Sequence, residues 1–556
     1  MIDPLKWWQT AVFYQIYPRS FADGNGDGIG DLAGMTARLD YLKDLGVDAL
    51  WLSPHYPSPM KDCGYDIASY VDVAPEYGSL EDFRRFLDAA HQREMRVVLD
   101  LVLNHTSDQH AWFQESRSSR DNPKRDWYIW SDGKDGAPPN NWFSTFGGPA
   151  WEYDPATGQY YYHFFFKEQP DLNWSNPEVV AAMWDVVRFW LDMGVDGFRL
   201  DAIGTIFEEV GMPDQTTGKT LDEQYVIRRT ARSAEERAYA HQLWEDLFRG
   251  QHDMPGMHDL MRDLRKVVDE YPDRVLIGET DDITYYGSGS DELHLVFNFP
   301  LMRTDRLTPE WVRENQELRL AALPPGAWPC NTLGNHDSPR MYSHFGDGKN
   351  NDPIARLNLA LLLTLKGTPV LYNGEEIGMS DYLIMDVSKF RDPLGNRSFL
   401  LETELLQSPP EEALVYAALN GRDKCRTPFQ WENAPNGGFC PEGVEPWLPV
   451  NPNYIEGVNL AGQRDDPGSL FQYYRRLLRV RRENPALIHG GYELEETQGE
   501  DCLVFRRAGP EQICLVALNF SELEQPFCAP SYARLVFSSA AGSGPLAPFE
   551  VRILEL

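Results

Sequence analysis

Cysteine is scarce in this 556-residue chain: Cys63, Cys330, Cys425, Cys440, Cys502, Cys514 and Cys528 are all it has. Their odd number, wide spread and lack of a Cys-x-x-Cys pair exclude a disulfide framework and a zinc ribbon, and predict reduced thiols. Also missing is any apolar run near the ~20 residues that cross a bilayer. The opening residues, Met1-Ile2-Asp3-Pro4-Leu5-Lys6-Trp7-Trp8, lack a basic start followed by an apolar stretch and a small-residue cleavage site. A cytoplasmic protein with no membrane partner is expected. Basic residues are outnumbered, 51 Lys and Arg against 85 Asp and Glu, for a net charge of −34. Nucleic acid is therefore excluded as a partner, because phosphate contacts need clustered cations, and an anionic substrate is disfavoured. A small neutral substrate fits. Solubility accounts for the acid excess itself, and nothing in the sequence speaks to oligomeric state.

What is present is an alternation of short apolar runs and amphipathic helical stretches. Eight strands are predicted, near 11–17, 47–53, 96–103, 194–200, 275–279, 294–299, 328–334 and 368–373. Between them lie helical patterns such as Ser79 to Gln92, Asn176 to Met193, Pro255 to Tyr271 and Pro353 to Lys366. Eight βα units in one chain predict an α/β fold, a closed (β/α)8 TIM barrel. The segment 105–176, rich in aromatics and turn residues, reads as an inserted lobe (domain B) over the barrel mouth, between barrel parts 1–104 and 177–485. Residues 380–466 read as a long irregular loop after the last strand, before a helix from Ser469 to Arg482. Short alternating runs in 486–556 predict a C-terminal antiparallel β-sandwich.

Three carboxylates follow three of the predicted strands: Asp201 in Gly197-Phe198-Arg199-Leu200-Asp201, Glu279 in Leu276-Ile277-Gly278-Glu279, and Asp337 in Gly334-Asn335-His336-Asp337. A barrel points the C-terminal ends of its strands at one mouth. Acids brought together there suit a retaining glycosidase, which needs one ionised carboxylate and one protonated carboxyl about 5–5.5 Å apart. Separately, Asp23-Gly24-Asn25-Gly26-Asp27-Gly28-Ile29-Gly30-Asp31 places oxygen ligands at positions 1, 3, 5 and 9 of a tight loop, with the Ile29 carbonyl at position 7. A hard cation is held this way, although Gly34 at position 12 rules out an EF-hand.

Seven motifs in order resemble the α-amylase superfamily, glycoside hydrolase family 13, in the branch of oligo-1,6-glucosidases and α-glucosidases. They begin at Val12-Phe13-Tyr14-Gln15-Ile16-Tyr17-Pro18, Asp100-Leu101-Val102-Leu103-Asn104-His105 and Gln169-Pro170-Asp171-Leu172-Asn173. The Asp201 and Glu279 motifs follow, then Asn335-His336-Asp337-Ser338-Pro339-Arg340 and Cys425-Arg426-Thr427-Pro428-Phe429-Gln430-Trp431. The resemblance implies Asp201 as nucleophile, Glu279 as general acid/base and Asp337 as the stabiliser of the transition state. It further implies His105 and His336 as donors to sugar hydroxyls, Tyr65 as a stacking platform, Asp66 as a clamp on two hydroxyls, and Phe146, Phe165, Arg199 and Arg340 as further substrate-binding residues. In the 23–31 loop it implies a structural Ca²⁺ or Mg²⁺. Arg199, on the same strand face as Asp201, is expected to keep that acid ionised, and Glu279, facing two other carboxylates, to be pushed toward the protonated state.

Two departures bear on specificity. Ala202 follows the nucleophile where α-1,6 enzymes of the family commonly have Val and α-1,4 enzymes often have Thr, and the stretch Asn396 to Ala418 is longer than the family pattern. The expected activity is exo-acting α-glucosidase on short oligosaccharides. A transglucosylase or isomerase of the trehalose synthase or sucrose isomerase type shares the chemistry, but the Arg-Leu-Asp-Arg-Asp loop of sucrose isomerases has no match. The superfamily's non-catalytic transporter heavy chains are the remaining class, and they lack triad members that this chain has.

Overall fold

The computed structural model describes residues 5–289, 291–497, 499–540, 542 and 544–556; residues 1–4, part of the N-terminal segment read above, lie outside the described residues. Strands β1 (Phe13–Ile16), β2 (Ala49–Leu52) and β3 (Arg96–Val102) are followed by three short strands, β4 (Trp130–Ser131), β5 (Trp151–Asp154) and β6 (Gln159–Tyr162). Five more run parallel to the first three: β7 (Gly197–Asp201), β8 (Val275–Gly278), β9 (Leu295–Val296), β10 (Cys330–Thr332) and β11 (Thr368–Tyr372). The order β10-β11-β1-β2-β3-β7-β8-β9 is closed by a further parallel bridge from Phe297 to Cys330, so the sheet curls into the expected barrel. All eight strands fall inside the predicted runs, apart from Asp201, one residue past its run. They are buried on both faces, which is why they read as continuous rather than alternating apolar sequence.

Local signals set the helices between them. Ser79 caps the helix Leu80–Gln92 in a reciprocal pair with Asp82. Asn176 caps Pro177–Met193, Pro177 supplies a preset first turn, and Gly194 at φ +108° ends it. The chain then enters β7, which carries Asp201 at its C-terminal end.

Strands β4, β6 and β5 form a separate antiparallel sheet within 105–176. The region 380–466 is not simply irregular. It holds helices Pro393–Leu400 and Pro410–Asn420, joined through a π turn at Leu401–Leu405. Asp392 and the prolines that start these helices are also loop signals, and they masked the short helical pattern behind them. A second helical pair absent from the sequence reading, Leu221–Thr230 and Ala234–Phe248, follows β7 and begins with capping boxes at Thr220/Glu223 and Ser233/Glu236.

The C-terminal antiparallel domain is a five-stranded sheet of order β12-β13-β14-β16-β15, with β12 (Gly491–Leu494), β13 (Cys502–Ala508), β14 (Ile513–Asn519), β15 (Arg534–Ser538) and β16 (Val551–Glu555). Leu503, Phe505, Val516 and Leu518 join the barrel's core, while Val504, Leu515 and Ala517 face a small second cluster with Leu546. The second layer is mostly chain without regular strands. Among the described residues no helix is long and apolar enough to cross a membrane. All seven cysteines are free, and six are buried.

Candidate active site

The ends of the barrel strands and the inserted lobe surround a cavity of about 360 Å³, whose walls include Tyr65, His105, Phe146, Phe165, Asp201, Glu279 and Asp337. Its floor is organised by one buried guanidinium. Arg199, on β7, donates from Nη1 to Asp100 Oδ1 and Asp201 Oδ1, both at 2.7 Å, and its Nη2 lies 2.7 Å from Glu279 Oε1. The second Glu279 oxygen accepts from the Ala202 N–H at 2.9 Å. Ala202 can aim its N–H this way because it sits in the left-handed region at φ +43°, where a β-branched residue is strained.

Three carboxylates around one arginine carry two uncompensated negative charges if all ionise, so the cluster holds a proton. Burial, and then the charge of Glu279, raise Asp201 well above the ordinary carboxylate range, against the pull of Arg199. Burial also raises Asp100, to about 6. The expectation that Arg199 keeps Asp201 ionised is therefore corrected. Desolvation in the barrel floor outweighs one cation shared among three acids.

Asp337 is the opposite case. Burial would raise it, but the guanidiniums of Arg426, Arg422 and Arg199, with an N–H of the neutral His336 ring facing it, outweigh burial and hold it well below the usual range. Arg426 reaches its Oδ1 directly, and Arg422 lies 3.3 Å away. Burial keeps His336 neutral, its pKa far below the usual histidine value. The Gln15 amide meets its Nδ1 at 2.6 Å, which puts the ring proton on Nε2, facing Tyr65 Oη at 2.5 Å and Asp337 Oδ2 at 3.3 Å. The Tyr65 ring lies within 9° of parallel to this ring with centroids 5.6 Å apart, and meets it through the hydroxyl rather than through its face. His105, also in the wall, is lowered to about 3 by burial and meets the Gln169 amide at 2.8 Å.

Two proposed contacts do not reach the cavity. Asp66 is fully buried away from it, accepting from Ser58 Oγ at 2.8 Å, Lys61 N at 2.9 Å and Asp62 N at 3.0 Å. It closes the 58–66 turn, as a carboxylate does when backbone donors surround it. The acid at the cavity wall is Asp62, held by Arg422 Nη2 at 2.9 Å and Gln169 Nε2 at 3.1 Å. Arg340 is likewise buried elsewhere, donating to the Asn373 carbonyl at 2.9 Å and stacking on Tyr372. Arg422 and Arg426 occupy the place assigned to it. Sequence reasoning missed Asp62, which lies just before Cys63-Gly64-Tyr65-Asp66, and Arg422, which served only to mark the end of the long 396–418 stretch in Gly421-Arg422-Asp423. Asp100 opens one, and its inward direction on β3 follows from the strand period.

At the rim, Phe299 and Arg303 line the same cavity, with Arg303 over the Phe299 ring at 4.7 Å. Arg303 begins Arg303-Thr304-Asp305-Arg306. The sequence therefore does carry three of the five positions of the Arg-Leu-Asp-Arg-Asp loop, a likeness the exact-motif reading passed over.

In the 23–31 loop, Asp31 is turned onto backbone donors and keeps one lone pair on Oδ1. Its Oδ1 caps the next helix at Gly34 N, and its Oδ2 accepts from Gly24 N and Asn25 N. Asp23, Asn25 and Asp27 accept from the loop's own N–H groups at 2.6–3.1 Å; Asp23 Oδ1 takes two of them, while Asp23 Oδ2, Asn25 Oδ1 and the Asp27 oxygens keep a lone pair to spare. Among the described residues no three His, Cys, Asp or Glu side chains are placed to hold a metal ion, so a cation here needs Asn25 and the Ile29 carbonyl in its shell.

Residues 15–490 match the family model of the α-amylase catalytic domain. A probable α-glucosidase of Rhizobium meliloti (strain 1021) is 43% identical over 93% of this chain and 91% of its own length. An oligo-1,6-glucosidase of Parageobacillus thermoglucosidasius is 40% identical over 95% and 92%. Among solved structures, the trehalulose synthase MutB from Pseudomonas mesoacidophila MX-45 superposes with a TM-score of 0.86 at 38% identity, covering 100% of both chains. With its barrel, its three acids and these relatives together, the chain belongs to the α-amylase family of glycoside hydrolases, in the branch of the oligo-1,6-glucosidases and α-glucosidases.

Proposed function

We propose that this enzyme is a retaining, exo-acting α-glucosidase that releases glucose from the non-reducing end of short α-1,4- or α-1,6-linked oligosaccharides. The observation that carries the reading is the pairing of Asp201 and Glu279 on the two terminal nitrogens of Arg199 at the floor of a small cavity. Asp201 attacks the anomeric carbon as the glycosidic bond breaks, and Glu279 gives a proton to the departing oxygen. Glu279 then takes a proton from water, whose oxygen displaces Asp201 and restores the α configuration. In this mechanism Asp201 attacks as the carboxylate and Glu279 donates as the acid, so the proton of the cluster is on Glu279 when the bond breaks. Asp337, kept ionised, and neutral His336 hold the sugar hydroxyls of the first glucose, together with Asp62 and Arg422.

A second reading, isomerisation of a disaccharide, is favoured by Arg303 at the rim and by the whole-chain likeness to a trehalulose synthase. In that reading a sugar hydroxyl replaces water as the second nucleophile. Incubation with maltose, isomaltose, sucrose and trehalose separates the two. Glucose is expected from maltose or isomaltose, appearing first as the α anomer by NMR. Initial β-glucose would exclude retention, and a rearranged disaccharide from sucrose without net hydrolysis would establish the second reading.

The 23–31 loop is proposed to hold one structural Ca²⁺ or Mg²⁺ through Asp23, Asn25, Asp27 and the Ile29 carbonyl. Chelation with EDTA is expected to lower Tm, by about 1–4 °C for roughly 1 kcal/mol of linkage, and Asp27→Ala to reproduce that shift. An unchanged melting curve with no metal in elemental analysis would remove the site.

A further inference from the structure

A second cavity, of about 550 Å³, lies in the joint between the barrel and the C-terminal domain and shares no residue with the active-site cavity. The barrel side supplies the turn Asp305 to Leu307, Phe345 at the end of the helix Met341–His344, and one face of the helix Asn351–Thr364. The C-terminal domain supplies Asp501, the turn after β14 and Phe549, ahead of β16. Phe345, Phe520 and Phe549 bring three aromatic rings to it, with Leu307 and Leu357. Beside them stand four carboxylates, Asp305, Asp347, Asp501 and Glu522, against one guanidinium, Arg306.

The charges do not cancel. Glu522 accepts from Lys349 Nζ at 2.6 Å and Asn350 Nδ2 at 2.8 Å, which clasps the C-terminal domain to the barrel, but Asp305 and Asp501 form no ion pair among the described residues. His344 turns its Nε2 to the Thr304 carbonyl, at 2.8 Å. The cavity also holds one unmet amide. Asn358 interrupts the apolar run Leu357 to Leu363, lines the cavity at 2% exposure, and its Nδ2 meets no acceptor among the described residues. A buried N–H left this way is costly, so an occupant that brings an oxygen to it is favoured.

Aromatic faces beside carboxylates are the recognition chemistry of an organic ammonium, and apolar walls turn away a hydrated inorganic ion. The net charge of −34 concentrates cations around the whole molecule. We propose that this interdomain cleft binds a small, free organic ammonium that carries a hydroxyl group, with the ammonium among the rings and carboxylates and the oxygen on Asn358. Its walls come from both domains, so the occupant ties the C-terminal domain to the barrel.

The test titrates the full-length enzyme with choline and with 3,3-dimethylbutan-1-ol, its neutral analogue of the same shape, by calorimetry at constant ionic strength. Choline is expected to bind about tenfold more tightly than the alcohol and to raise Tm with the logarithm of its concentration. The double variant Asp305→Asn/Asp501→Asn, at two exposed positions, is expected to weaken choline about tenfold. Asn358→Leu is expected to weaken it as much and to raise the Tm of the free enzyme, because an unmet amide gives way to an apolar group of similar size. An alcohol that binds as tightly as choline, or choline binding unmoved in the double variant, overturns the proposal. Binding lost in Asp337→Asn and kept in the double variant places the cation in the catalytic cavity and overturns it too, as does sedimentation of the enzyme with phosphatidylcholine vesicles, which assigns the cleft to a lipid headgroup. None of these outcomes touches the α-glucosidase reading.

Discussion

Replacing Asp201 with Asn is expected to lower kcat at least a thousandfold while raising the melting temperature. Without the carboxylate no glucosyl ester forms, and the remaining groups supply only binding and charge stabilisation. Glu279→Gln removes proton transfer to the leaving oxygen, which alone is worth about 10²–10⁴. A substrate whose leaving group needs no proton should recover much of that loss in Glu279→Gln and none of it in Asp201→Asn. The stability gain follows from the raised pKa of Asp201. A carboxyl that binds its proton more tightly when folded costs stability once the pH exceeds its unfolded value, and the cost grows until the folded value is passed. The gain in Asp201→Asn should therefore be largest at alkaline pH, about 1–4 °C in Tm, and should shrink as the pH falls toward 4, where the unfolded-state carboxyl titrates. Calorimetry across that range checks it. A variant that melts lower than wild type at alkaline pH would mean that Asp201 stabilises the fold and that the cluster carries no excess charge.

The second large effect separates Asp62 from Asp66. Asp62 faces the cavity beside Arg422, so Asp62→Ala should cut kcat/KM about a hundredfold, the worth of one or two charge-assisted hydrogen bonds to a sugar hydroxyl. The loss should appear on maltose and isomaltose alike, because it concerns the first glucose and not the linkage. Asp66→Asn leaves the cavity untouched but gives an amide to a site surrounded by N–H donors. Its cost should fall on stability, about 1–3 kcal/mol in denaturant unfolding, with kinetics of the folded fraction near wild type. Burial outweighs its three donors and lifts Asp66 to about 6, so wild-type stability falls as the pH rises from about 4 to about 6, and the deficit of Asp66→Asn should narrow over that window. The reverse pattern, kinetics lost in Asp66→Asn and kept in Asp62→Ala, would restore the sequence-based assignment.

The barrel was legible before any coordinates because its eight strands are buried on both faces and its helices carry explicit caps, as at Ser79/Asp82 and Asn176-Pro177. Asp201, Glu279 and Asp337 were legible for the same reason, since the strand ends that bear them must share one mouth. Periodicity could not show which acid of the 58–66 turn faces the substrate. Asp62 and Asp66 are four residues apart in an irregular segment, and only the path of the turn decides that backbone donors enclose one and Arg422 meets the other. Nor could spacing place Arg340, which the chain turns toward Asn373 and away from the cavity. Protonation was the least legible of all. One arginine near one acid argues for ionisation, but the structure packs Asp100, Asp201 and Glu279 around the buried Arg199 in the barrel floor, and there desolvation of Asp201 outweighs the cation. Sequence by itself determined the family, the barrel and the three acids, because those depend on local pattern; the partners of each acid, its charge and the second cavity depend on contacts across hundreds of residues, and only the tertiary structure decided them.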